Sequence, residues 1–150
     1  MLFTDGGKSV GMSFAGTSTS TPLTFTASAI SGTELTSLES TLASGQHFLS
    51  GWDFTAGSGY ASGSPVYLSL FAGAGQSLSG LEIWHFDGST WSEFSATDLA
   101  YDSTYASFTA TGFSGYAVSG AAAPVPVPAA LLLFAPGLAG IVGLRRKLRK

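Results

Sequence analysis

The chain has no cysteine and no asparagine. Without thiols there is neither a disulfide framework nor a thiolate zinc cluster, and without asparagine there is no Asn-x-Ser/Thr glycosylation acceptor. Basic side chains are almost confined to one place. Of the six, Arg145, Arg146, Lys147, Arg149 and Lys150 occupy the final six positions, so residues 1–144 set nine acids against Lys8 alone. A body with a net charge of −8 presents no basic face to phosphates, which excludes nucleic acid as a partner. A secretory leader is also missing. It requires a basic segment followed by an unbroken apolar run, whereas Asp5, Gly6, Gly7 and Lys8 interrupt the opening "MLFTDGGKSV". Met1 therefore reads as an internal position of a longer exported protein whose upstream part supplies the signal.

What the chain has is hydroxyl groups and alternation. Charged residues make up 10% of it, while Ser and Thr make up about a quarter. Over residues 9–120 apolar and hydroxyl residues alternate, the period of a strand with one buried face. "SVGMSF" places Val10, Met12 and Phe14 on one side, and "PLTFTAS" does the same with Leu23, Phe25 and Ala27. Further strands are predicted over 47–55, 65–71, 81–86, 90–95, 105–111 and 115–119, separated by Gly- and Asp-rich turns such as Asp87-Gly88 and Asp102-Ser103.

One stretch departs from this rhythm. "TELTSLESTLAS" spaces Leu35, Leu38 and Leu42 as a helix does, after Ser31 or Thr33 as N-cap, and its leucines are expected to cover an end or an open edge of a sheet. The stretch "LEIWHFDGSTWSEF" fixes a register. A two-residue loop at Asp87-Gly88 would set Glu82 against Glu93, which is destabilising; a four-residue loop over 87–90 instead pairs Phe86 with Trp91 and Ile83 with Phe94. The fold class is all-β: an antiparallel β-sandwich or meander of seven or eight short strands with one short helix, followed by a C-terminal transmembrane helix.

Chemistry-bearing constellations are sparse. His85, Asp87 and a serine make a triad only on paper, because residues two apart on one strand cannot assemble one and no nucleophile elbow is present. His85, Asp87 and Glu93 match no metal-ligand spacing, and Asp98 and Asp102 lack the clustered carboxylates of a calcium loop. No catalytic residue, metal or cofactor is assigned, and the aspartates read as turn formers. The aromatics divide between core packing and a stacking platform for sugar rings, with Trp84 and Trp91 as the candidate platform.

The end of the chain is built differently. Residues 129–144 are sixteen uncharged positions, which as a helix would extend about 24 Å against a hydrocarbon core of roughly 30 Å. Pro128 suits a first helical turn, while Pro136-Gly137 should kink the interior. Arg145 and Arg146 extend the span by snorkelling, and the positive-inside rule keeps the basic end cytoplasmic.

Val125-Pro126-Val127-Pro128-Ala129, then the Leu-, Gly- and Ala-rich span, then Arg145-Arg146-Lys147, closely resembles the PEP-CTERM sorting signal, in its Val-Pro-x-Pro-Ala variant, with Val127 where a glutamate is usual. The resemblance implies recognition by an exosortase, an integral-membrane processing enzyme of Gram-negative bacteria that make exopolysaccharide. A second resemblance, over residues 51–120 with "SPVYLSLFAG", "LEIWHFDGSTWSEF" and "YASFTATGFSGYAVSG", is to the β module that precedes such tails. It implies no enzymatic activity. The expected organisation is a β body over 1–120, an Ala/Pro linker with the sorting motif over 121–128, a membrane span over 129–144 and a basic cytoplasmic tail over 145–150.

The expected role is that of a non-enzymatic exported protein. It is held transiently in the inner membrane with its C-terminus cytoplasmic, then delivered to the cell surface or biofilm matrix. Its expected partners are an exosortase and the membrane, with exopolysaccharide a further candidate. The competing expectations are a permanently tail-anchored membrane protein and a carbohydrate-binding surface module.

Overall fold

In a computed structural model the described residues are 1–5, 7–14, 24–61 and 63–121. Among them are ten strands and one α-helix: β1 (Leu2–Asp5), β2 (Lys8–Phe14), β3 (Phe25–Ala29), α1 (Gly32–Thr41), β4 (Gln46–Ala56), β5 (Val66–Phe71), β6 (Glu82–Phe86), β7 (Trp91–Glu93), β8 (Ala100–Tyr101), β9 (Tyr105–Ala110) and β10 (Gly115–Ala121). They form two antiparallel five-stranded sheets, ordered β1-β2-β5-β9-β8 and β3-β4-β10-β6-β7.

Alternation decides what lies between the sheets. Val10 and Met12 from β2, Leu68 and Leu70 from β5, and Phe108 from β9 form one buried cluster with Trp52, Phe54, Ile83, Tyr116 and Val118 of the second sheet. Each buried side chain of this size contributes roughly 1.5–3 kcal/mol. Hydroxyl residues between them, such as Ser69, fall on the outer faces, whereas Ser50 is buried between the sheets and donates to the Phe71 carbonyl.

All eight expected strands are present, and the expected number is exceeded by two. β1 and β8 are short edge strands, one exposed along most of its length and the other only two residues long. A meander is excluded. The chain leaves one sheet for the other between β2 and β3, β4 and β5, β5 and β6, β7 and β8, and β9 and β10, so half of the neighbouring pairs in each sheet join strands that are not consecutive in sequence. The β6–β7 register is that of the four-residue loop: Phe86 opposes Trp91, Trp84 opposes Glu93, and the Phe94 amide bonds the Ile83 carbonyl at 2.7 Å.

The helix begins after Ser31, whose backbone is extended but whose side chain makes no capping bond, and it has Glu34 in its first turn, where a negative charge suits the helix dipole. Its position corrects the sequence expectation. Leu38 is fully buried with Ile30, Trp91 and Ala117, and Leu35, Leu42, Phe48, Trp84 and Phe86 pack around them. These residues belong to the outer face of the second sheet, so the leucines cover a sheet face instead of an edge. Gly51 makes the close approach possible: a Cβ there would lie 2.6 Å from Ile30 Cδ1 and 2.9 Å from Ala117 Cβ. As a result β10 is buried on both faces from Gly115 to Gly120.

No helix among the described residues is long and apolar enough to cross a membrane. The expected span at 129–144 lies outside the described residues.

Candidate functional site

The two tryptophans of the expected sugar platform sit in the layer between α1 and the second sheet. Trp91 is 7% exposed, its ring 4.9 Å from that of Phe86, and its Nε1–H donates to the Glu34 carbonyl at 3.1 Å. A ring so enclosed has no face to stack on a sugar, and this corrects the assignment of Trp91: it staples the helix to the sheet. Trp84 is half-buried, and its Nε1–H donates to Ser119 Oγ at 3.0 Å. Its polar edge is therefore already occupied.

The acidic candidates are turn-builders. Asp87 Oδ1 accepts from Ser89 N, Ser89 Oγ and Thr90 N, each at 2.8 Å, and Oδ2 accepts from Thr90 Oγ1 at 3.1 Å. The amides of Thr90 and Ser89 are the main cause that holds the Asp87 carboxyl well below the usual carboxylate range. Asp102 is lowered by the amides of Tyr105 and Thr104, and Asp98 by the hydroxyl and amide of Thr109. His85 lies against the rings of Tyr116 and Phe94.

A hollow of about 290 Å³ beside the β6–β7 turn is lined in part by Glu34, Asp53 and Asp87, yet among the described residues no three His, Asp or Glu converge as a metal site.

These turns make a pH prediction. A carboxyl whose folded pKa lies below its unfolded value of about 3.9 stabilises the fold above that value, and the stabilisation is lost as pH falls through the folded pKa. Melting temperature should therefore be flat from about pH 7 to 5 and fall below about pH 4. Asp87→Asn keeps an accepting oxygen but removes the titration, so thermal melts across pH should show a shallower acid limb. An unchanged limb would mean that Asp87 has no part in it.

A feature that the sequence reading missed lies on the outer face of the first sheet. Leu2, Gly11, Ser69, Ser107 and Ala100 stand opposite one another in register, one from each of the five strands. The middle of this row is small, and larger side chains rise on both sides. On one side are Tyr67 and Thr109, in register with each other; on the other are Phe71 and Tyr105, with the Tyr105 hydroxyl 2.7 Å from Ser9 Oγ.

The result is a trough across the strands. It contains two shallow hollows of about 140 and 210 Å³ that share Ser69 and Ser107. Ser69 Oγ and Ser107 Oγ are 2.8 Å apart on its floor. Tyr67 is 53% exposed on its rim, Asp98 lines one hollow, and Asp102 lines the other.

The expected sorting motif, Val125, Pro126, Val127, Pro128 and Ala129, and the basic residues Arg145, Arg146, Lys147, Arg149 and Lys150 lie outside the described residues. The body sets their starting point. The last strand, β10, pairs with β4 and β6 in the middle of its sheet, and its final residue, Ala121, pairs with Gln46. The motif begins four positions later. No protein-family model, curated protein or solved structure matches the chain.

Proposed function

We propose that the chain is a non-enzymatic, exported cell-surface or matrix protein whose two-sheet body is cargo and whose last 27 residues, from Pro124 to Lys150, are a sorting signal for exosortase processing. The observation that carries this reading is the order of parts at the end of the chain: a Val-Pro-Val-Pro-Ala motif, an uncharged span and a basic cluster. The body supports it physically. Its last described strand is completed at Ala121, so a cut at the proline motif severs no strand among the described residues. The hydroxyl-rich exterior, which hydrogen-bonds water with little charge, suits a protein that works outside the cell.

In this reading the span pauses the chain in the inner membrane, and the basic cluster holds the C-terminus on the cytoplasmic side. Arg145, Arg146, Lys147, Arg149 and Lys150 should therefore be needed together. Changing all five to Gln removes the retention charge. In the native, full-length precursor this should shift the chain's membrane location and lower the processed fraction several-fold, read by immunoblot of membrane, surface and medium fractions. Unchanged location and processing would defeat the topology proposed here.

A further inference from the structure

We propose that the trough on the outer face of the first sheet binds an uncharged polysaccharide chain. The two outer faces of the fold differ. That of the second sheet is covered by α1, whereas that of the first carries no described element over the row from Leu2 to Ala100. Five strands at the usual spacing give the row a length of roughly 19 Å, enough for a short run of linked sugar rings.

Three features of the trough select the ligand. The first is hydrogen-bonding capacity. The Ser69–Ser107 contact uses one donor and one acceptor, and since a hydroxyl has one donor and two acceptor sites, the pair keeps both kinds of capacity for a ligand. Asp98 and Asp102 sit beside the floor with carboxylate oxygens that retain further acceptor sites. The second is an exposed ring: Tyr67 stands at the rim, where a tyrosine gives a flat apolar face at low entropic cost.

The third is charge. The two carboxyls that line the trough, Asp98 and Asp102, are held below their ordinary range and are negative at neutral pH, and its two tyrosines, Tyr67 and Tyr105, carry no positive charge in either protonation state. The only cation among the described side chains that is not a histidine, Lys8, lies elsewhere, with its Nζ 4.4 Å from the centre of the Phe48 ring, and the Met1 ammonium, next to Leu2 at one end of the row, donates to the Met12 carbonyl at 2.7 Å. His47 and His85 are on strands of the other sheet. Anionic glycans, phosphates and nucleic acids are therefore repelled, and a neutral polyol is accepted. A protein partner is disfavoured by the floor itself, because Gly, Ser and Ala lack the large apolar anchors from which interface cores are built.

This inference does not rest on the tail, and its test reads binding, not processing. The full-length chain in mild detergent is run in native gels containing β-glucan, galactomannan or dextran, with alginate as the anionic comparison. Retardation by at least one neutral polymer and none by alginate is expected. Tyr67→Ala and Ala100→Gln, both at exposed positions, should weaken the retardation tenfold or more without changing the melting temperature. Leu78→Ser, exposed and away from the trough, should leave it intact.

Four results would overturn the proposal: no retardation in any neutral gel, retardation unaffected by Tyr67→Ala and Ala100→Gln, alginate binding as strong as neutral binding, or a dimer that Tyr67→Ala dissociates in sedimentation. The last would make the face an interface between copies of the chain.

Discussion

Trp91→Ala should destabilise the body by about 3–5 kcal/mol, the range for truncating a buried Trp to Ala. The reason lies in the layer between α1 and the second sheet. The indole fills the space beside Leu38 and Phe86, and its N–H satisfies the Glu34 carbonyl within the helix. Truncation leaves a cavity and removes that bond. The helix is otherwise held to the sheet by the packing of Leu35, Leu38 and Leu42, which the cavity loosens, so its amides should lose protection from hydrogen exchange before those of the two sheets do. Against a typical stability of 5–15 kcal/mol, a loss of this size leaves a marginal protein. Thermal melts and amide exchange of the full-length variant measure both effects. An unchanged melting temperature would mean that Trp91 does not staple the helix, and it would restore the reading of this ring as a free platform.

Processing is expected to have an equally large effect, of a different kind. If the tail is an address, surface-exposed protein should lack residues 130–150 altogether, with cleavage within residues 125–128. The body should be indifferent to this loss. β10 is held by β4 through Ala121 and by β6 through Ser119, and the cut falls beyond both. Processed and unprocessed forms should therefore melt at nearly the same temperature. A large loss of stability on processing would place the cut inside the body.

Much of this fold is written in local patterns. Alternating hydroxyl and apolar residues mark eight strands, since period-two patterning exposes one face and buries the other whichever strands are neighbours. The separation of Glu82 from Glu93 fixes the β6–β7 loop because like charges across a pair are costly whatever surrounds them. The leucines of α1 are equally local in their helical spacing. Their destination is not: Leu38 meets Ile30, Trp91 and Ala117, which are brought together only by strand order, and strand order depends on pairings distant in sequence.

The same limit explains the tryptophans and the trough. A strand residue beside a turn is commonly exposed, yet Trp91 is buried because a helix from another part of the chain lies over it. Gly11, Ser69 and Ser107 are unremarkable polar or small positions in their own strands, and the floor they make exists only in the register of three strands from remote segments. The tail is the opposite case. The address proposed for it is read from the order of residue types along the chain alone: proline motif, uncharged span and basic cluster.

The central claim is that this tail is an address that is cut away. The most direct measurement is the C-terminal mass of the protein recovered intact from the cell surface or medium of its natural host. The account predicts a terminus within residues 125–128, with residues 130–150 absent. A surface population that ends at Lys150 would contradict it and make the chain a permanently tail-anchored membrane protein.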